Sequence, residues 1–356
     1  MKVSILGDGL TSLTLAKLLV NQGIKVDIFR DGKAKKNSKI QTLIISKSNI
    51  EFFNNQILNI KKFLWDINKI EIFSERLDNE KILNFKNNDE ELFSIIKNID
   101  LYKCLSKNLN KDKLIQFKKN VDYSTLVKNY KLIFNCNPYN KISKKFFYKK
   151  IIKNYNSLAH ITTFKHKRLI DNHTASQIFT REGPIAFLPI SPTETSVVYS
   201  VNNKRNIDLK YSIKKYNKKY KIIKINKSSS FELKSSNLRS YYFKNIIAFG
   251  DLLHRLHPLA GQGFNMTIRD IKEINKLIEF QKKHGLDLDT SICSNFEKNT
   301  QKENYLFSNG IDFIYEFFNF ENKIRNNTLS KSVKILGKNK IFNKLFTRFA
   351  DKGLVL

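Results

Sequence analysis

The sequence predicts an α/β chain. A Rossmann-like nucleotide-binding domain is interrupted by an antiparallel-sheet domain and followed by C-terminal helices. Three observations carry this expectation. Met1 to Leu6 is a short apolar strand that runs straight into Gly7-Asp8-Gly9-Leu10-Thr11-Ser12 and the helical apolar positions Leu13, Ala16, Leu18 and Leu19. Ile246 to Phe249 is a second buried strand; it ends in Gly250-Asp251 and leads through Gly261-Gln262-Gly263 to a helix from about Asn265. Between them, Ser157 to Lys165 and residues 171–201 alternate like strands, with Pro184, Pro189 and Pro192 near the turns.

The opening unit fits the GxGxxG dinucleotide fingerprint, with Ser12 in the third position, small enough to keep helix and strand close. The helix runs to Asn21-Gln22-Gly23, and Val26, Ile28 and Phe29 form the next strand. Gly7, Gly9, Leu10 and Ser12 are therefore expected to cradle a nucleotide. The acid expected at the end of the second strand, where it would hold the adenosine ribose, falls on Arg30. Asp31 comes one residue late: either it substitutes after a small backbone shift, or the ribose is held differently. Arg30 taken alone would suit a 2′-phosphate.

In the middle of the chain, Ile70 to Phe73 and Ile82 to Phe85 read as a hairpin, and residues 90–107 read as a helix whose face carries Leu92, Ile95, Ile96, Ile99 and Leu101. Tyr130 to Asn135 is a short buried strand. Beyond Asn265, Ile271 to Phe280 continues a helix that ends at His284-Gly285, and Ser294 to Phe307 reads as another. Ile311, Phe313, Ile314, Phe317, Phe318 and Phe320 then make an aromatic amphipathic stretch, followed by basic residues through Arg348. The expected division is a discontinuous nucleotide domain of residues 1–62, 92–148 and 240–300, a substrate domain of 63–91 and 149–239, and a helical region of 301–356.

Composition bounds the function. Lys plus Arg number 64 against 32 Asp plus Glu, a net charge of +32. The lysines are spread along the whole length among Asn, Ile and Phe, as an AT-rich genome favours, and no nucleic-acid module accompanies them. Attraction to an anionic membrane is the functional alternative. Cys104, Cys136 and Cys293 form neither a metal motif nor a disulfide framework, which suits a reducing cytoplasmic compartment. No signal peptide is read before the glycine turn, and no apolar run approaches the roughly 20 residues that span a bilayer.

The segment from Gly250 to Asn265 resembles the "GD…HxxxPxxGQGxN" stretch of flavin-dependent aromatic hydroxylases. Residues 172–190 are similar to a more specific pattern, that of the ubiquinone-biosynthesis hydroxylases. They carry Asn172-His173-Thr174-Ala175, Phe179 and Gly183-Pro184-Ile185-Ala186-Phe187-Leu188-Pro189. The resemblance implies FAD as cofactor. Asp251 would contact its ribityl and pyrophosphate part, and Gly261, Gln262, Gly263, Phe264 and Asn265 would cradle its ring. Phe187 and Pro189 would cover the substrate. His257 and Pro258 are the catalytic candidates, with His257 polarising the oxygen-transfer species or a substrate phenol. No metal is expected.

The implied reaction is hydroxylation of a polyprenylated phenol in ubiquinone biosynthesis. NAD(P)H serves as transient reductant, and dioxygen reacts through a flavin hydroperoxide. Peripheral attachment to the inner face of the cell membrane, or to a quinone-biosynthesis complex, would suit such a substrate. Two family features are missing. The Asp-Gly pair after the Tyr130–Asn135 strand is replaced by Cys136-Asn137, and the arginine expected before Ser46 is replaced by Gln41. Three rivals follow: a degenerate FAD-binding subunit without turnover, a related flavoenzyme of the halogenase or prenyl reductase type, and a basic surface-binding protein.

Overall fold

The structure is a computed structural model that describes residues 1–30, 41–86, 91–119, 122–202, 207–256, 262–324, 331 and 334–335. The chain opens with β1 (Lys2–Leu6), α1 (Leu10–Asn21), β2 (Lys25–Arg30), β3 (Thr42–Ser46) and α2 (Lys47–Phe52). Then come β4 (Trp65–Ile67), β5 (Lys69–Ser74), β6 (Glu80–Lys86), β7 (Phe93–Lys97), α3 (Asn98–Leu109), β8 (Ile115–Lys119), α4 (Tyr123–Asn129), β9 (Ile133–Asn135) and α5 (Lys141–Phe146). The middle is β10 (Lys150–His166), β11 (Thr174–Thr180), β12 (Gly183–Ser191), β13 (Glu194–Asn202), α6 (Leu209–Tyr216), β14 (Ile222–Ile225) and β15 (Ser229–Leu238). The chain closes with β16 (Tyr242–Phe243), β17 (Ile246–Ala248), β18 (His254–Arg255), α7 (Gly263–Lys283) and α8 (Thr290–Ile324).

The first sheet has the order β16-β17-β9-β1-β2-β8. Five strands, β17, β9, β1, β2 and β8, run parallel in four pairings, and β16 returns antiparallel on β17. Parallel strands are covered on both faces and read as continuous apolar runs. That is why Val3, Ile5, Val26, Ile28, Ile133, Phe134, Ile246 and Ile247 are all buried. Leu13, Leu15, Ala16, Leu18 and Leu19 of α1 pack into the same core, with Ile268, Ile271 and Ile274 of α7. β1 lies between β9 and β2, so the chain leaves it in both directions. The crevice at such a reversal is where open α/β sheets bind ligands.

The second sheet is the inserted one, in the order β18-β15-β10-β13-β12-β11-β5-β6, with β14 also pairing β10. The hairpin of β5 and β6 and the strand–turn–strand–turn–strand run of β11, β12 and β13 form as the sequence predicts. Gly183 makes the β11–β12 turn possible. Its φ is +137°, and a Cβ there would lie 2.0 Å from the Ser200 carbonyl oxygen.

Two expectations are corrected. Residues 93–97 of the expected 90–107 helix are strand β7, paired antiparallel with both β3 and β4. Ile95 packs into one apolar cluster and its neighbour Ile96 into another, on opposite faces. A short run buried on both sides carries no period that separates helix from strand. The two C-terminal helical stretches are a single helix, α8, which passes residue 301 without a break. It bridges the layers: Phe296 joins the core of the first sheet, while Phe307, Ile311 and Tyr315 pack with Tyr155, Phe179 and Leu233 of the second.

Candidate active site

Register brings three strand ends together. Leu6, Asn135 and Ala248 are in line at the carboxyl edge of β1, β9 and β17. The Cys136 amide donates to the Leu6 carbonyl at 3.0 Å, and the Phe249 amide donates to Asn135 at 2.9 Å. From this edge emerge the Gly7–Ser12 turn, the Cys136-Asn137 turn and Gly250-Asp251. The first and third of these had been singled out as cofactor-binding, and the sheet sets them side by side.

The contacts among the three turns are close. A Cβ on Gly7 would lie 3.3 Å from the Asn137 Cβ. Gly250 has φ +60°, and a Cβ there would lie 2.7 Å from the Thr11 side chain. Ser12 is buried in the first turn of α1. The Cys136 thiol is half-buried, and Asp251 acts on it electrostatically. Burial, reinforced by the Asp251 charge, pushes that thiol up to about 12. It is a small packing residue and not a nucleophile at neutral pH.

The replacement for Asp-Gly is a turn built by asparagines. Asn135 accepts from the Asn137 amide at 3.2 Å and from the Asn140 side chain at 2.9 Å, and it donates to Ser143 Oγ at 2.9 Å. Asn137 accepts from the Tyr139 amide at 2.8 Å, and Asn140 caps α5 by accepting from Ser143. Such side-chain-to-backbone bonds fix a turn without glycine.

The second part of the site is the start of α7. Gln262 is the N-cap, and Gly263, Phe264 and Asn265 form the first turn of a 21-residue helix. Its free N–H groups and dipole favour negative charge there. Asn265 is fully buried: it accepts from the Ser46 amide and from Asn49 Nδ2, each at 2.9 Å, and donates to the Ile44 carbonyl at 2.9 Å. Its side chain is thus engaged in tying the helix start to β3 and α2, which leaves only its backbone for a ligand. His254 on β18 also ties to this helix, its Nε2 meeting Asp270 of α7 at 2.5 Å. Asp270 in turn accepts from Asn304 of α8 at 3.0 Å.

The glycines give a test of fit. Among the described residues, a Cβ on Gly9 or on Gly263 would meet nothing within 4 Å. Asp251 is exposed, next to the Gly250 that lies against Thr11 of the α1 turn. A helix N-terminus with room at its glycine and a carboxylate near it suits an extended ligand with a pyrophosphate and hydroxyls, as FAD is.

Other sequence expectations fare differently. Asp31, His257, Pro258 and Gly261 lie outside the described residues. Leu10 stands at the first position of α1, half-buried. Phe187 is not brought to the site. It is buried with Phe164, Val197, Tyr199 and Ile213 of α6, on the face of the second sheet that α6 covers. Pro189 shares the parity of Phe187. Strand side chains alternate, so Ala186 and Leu188 take the other face, where they pack with Ile44, Ile67 and Ile95. Thr11, Asn49 and Asp270 were missed. Only Thr11 carried a signal, by its place in the glycine turn. Among the described residues no group of His, Cys, Asp and Glu could hold a metal ion.

No family model matches the chain. Among curated proteins, the mitochondrial ubiquinone biosynthesis monooxygenase of Dictyostelium discoideum is 30% identical over 95 residues, 26% of this chain and 19% of the relative. Its counterpart in Xenopus tropicalis is 24% identical over 210 residues, 47% of this chain and 45% of the relative. The 3-demethoxyubiquinol 3-hydroxylase of Escherichia coli is 24% identical over 152 residues, 40% and 39% of the two chains. The chain spans less than half the length of these curated relatives.

Among solved structures, p-nitrophenol 4-monooxygenase of Pseudomonas putida superposes with a TM-score of 0.78 at 10% identity, covering 99% of this chain and 98% of the other. HpxO of Klebsiella pneumoniae, solved with FAD and uric acid, gives 0.75 at 11% identity, covering 99% and 97%. The fold is that of the flavin monooxygenases, and the sequence is related to the ubiquinone-biosynthesis monooxygenases. The resemblance read from the three motifs stands at both levels.

Proposed function

We propose that the protein is an FAD-dependent aromatic-ring hydroxylase acting on a polyprenylated phenol of ubiquinone biosynthesis, with NAD(P)H and dioxygen as cosubstrates. One observation carries the reading: the Gly7–Ser12 turn and Gly250-Asp251 meet at one carboxyl edge of the parallel sheet, where Gly250 lies against Thr11. The names of the curated relatives supply the substrate class.

In this reading Gly7, Gly9, Leu10 and Ser12 receive the pyrophosphate at the start of α1. The Asp251 carboxylate accepts from the ribityl hydroxyls, and the backbone of Gly261 to Asn265 lies along the ring. Bound FAD supplies the oxygen-transfer chemistry; the chain holds it, orients it and excludes water. Leu188 and Ala186 replace Phe187 and Pro189 as the residues of β12 that would wall the substrate. His257 and Pro258 remain the candidates for contact with the reacting ring.

Peripheral docking on an anionic membrane is part of the proposal, motivated by the charge of +32 and the lipid character of the substrate class. No helix among the described residues is long and apolar enough to cross a membrane.

The test is an absorption spectrum of the purified or reconstituted protein, followed by NAD(P)H oxidation with quinone precursors. Flavin absorbance released by denaturation, with substrate-dependent oxidation, supports the reading. A protein that stays colourless and does not take up FAD would sink it. Stable FAD binding without oxidation would favour the second reading, a non-catalytic FAD-binding subunit. The observations behind that reading are Arg30 at the end of β2 and the asparagine turn at Cys136-Asn137.

A further inference from the structure

A dinucleotide site places an acceptor for the adenosine ribose hydroxyls at the end of its second strand. Here that position is Arg30, whose guanidinium donates and cannot accept. It is also not free to swing away. β8 lies beside β2 with Phe117 opposite Ile28, and the guanidinium carbon sits 3.8 Å from the Phe117 ring centroid. Its Nε lies 3.8 Å from Asp8 Oδ2. Both side chains are accessible, 47% for Arg30 and 32% for Asp8.

Asp8 is itself out of place. It stands between Gly7 and Gly9, in the turn meant for a pyrophosphate, where an unbalanced carboxylate would repel the ligand. The two departures compensate each other: a cation stands where the acid is expected, and an acid stands next to it in the turn. We propose that Asp8 is the acceptor for the adenosine ribose, and that Arg30, stacked on Phe117, holds and neutralises it. The proposal rests on the FAD reading above. The competing view is an exposed ion pair of little consequence, as most such pairs are.

The experiment measures ligand affinity on apo-protein and needs no turnover. FAD is followed by fluorescence quenching, and ADP is compared with 2′,3′-dideoxy-ADP by calorimetry. Wild type should prefer ADP by about tenfold or more, the order of a hydrogen bond to a charged acceptor. Asp8→Ala should erase that preference. Arg30→Glu sets two carboxylates side by side and should weaken FAD binding by about tenfold or more. Asp8→Ala with Arg30→Glu restores the usual arrangement, an acid at the strand end and none in the turn. It should recover both FAD affinity and the ADP preference. Arg30 is exposed and Asp8 half-buried, and folding of each variant is checked by its unfolding curve.

Three results would overturn the proposal: an ADP preference that survives Asp8→Ala, a double variant no better than Arg30→Glu alone, or loss of the preference in Asp31→Ala and not in Asp8→Ala. A wild-type protein that binds neither FAD nor ADP removes the flavin reading and this inference together. FAD binding with a ribose preference indifferent to Asp8 removes this inference alone.

Discussion

The two helix starts use glycine differently. Around α1, Gly7 and Gly250 admit other parts of the protein, while Gly9 at the helix start meets none of the described residues within 4 Å. Gly250 lets Thr11 approach to a distance no Cβ would allow, and Gly7 sits against Asn137. Around α7 none of the described residues comes within 4 Å of a Cβ at Gly263, and the helix start is held by Asn265 with Ser46 and Asn49. Glycine against protein is a packing requirement; glycine against open space leaves room for something the chain does not supply. The sequence writes both as the same G-x-G punctuation.

The sharpest way to break this comparison is Gly250→Ala. The left-handed φ of +60° alone costs about 1–3 kcal/mol for a residue with a Cβ, and the overlap with Thr11 adds to it. The midpoint of denaturant unfolding should fall whether or not FAD is present. Adding Thr11→Ala removes the atoms at 2.7 and 2.8 Å and leaves the Thr11 Cβ position at 3.1 Å. It should relieve most of the overlap cost and leave the φ cost, so the two substitutions will not be additive. An alanine at 250 with unchanged stability would mean that the α1 side is not packed as described.

Gly263→Val tests the other side. Gly263 is exposed, and among the described residues a Cβ there meets nothing within 4 Å, so apo-protein stability should change by only about 0.5 kcal/mol, as at ordinary surface sites. FAD affinity should fall by about tenfold or more, which is about 1.4 kcal/mol or more. Stability and flavin content must be measured on the same folded sample. A variant that loses stability and keeps its flavin would reverse the roles assigned to the two glycines.

How much of this was legible in the sequence follows the same division. The parallel strands, the two glycine turns and the β11–β13 meander were legible because their patterns are local: an apolar run, a turn residue, an alternation. β7 was not, because Ile95 and Ile96 are buried against different neighbours and only the fold supplies both. Phe187 was misplaced for a related reason. Alternation says that Phe187 and Leu188 take opposite faces, but not which face a helix covers; α6 settles that by covering Phe187. His254 with Asp270, and Asn265 with Asn49, pair across 16 and 216 residues, and no local pattern announces such contacts.

Cys136 gives the smallest expected effect and sharpens the comparison at the closed side. Its thiol stands where the α1 turn, the asparagine turn and Asp251 meet, and burial holds it near 12 against an ordinary 9.0. A raised folded-state value means that the native protein favours the neutral thiol. The resulting stability is fully present below about pH 9 and is lost as pH rises from 9 toward 12. At pH 8 the thiolate is scarcer than on a free cysteine by about three powers of ten, so alkylation by iodoacetamide should be slower by two to three orders of magnitude. Peptide mapping after timed alkylation reads this at Cys136 separately from Cys104 and Cys293. Cys136→Ser should leave FAD affinity within about a factor of two, since the side chain packs among the three turns and serine is nearly the same size. Fast alkylation of Cys136 that bound FAD blocks would instead put this thiol on the open side, facing the ligand, and the line between the two turns would have to be redrawn through it.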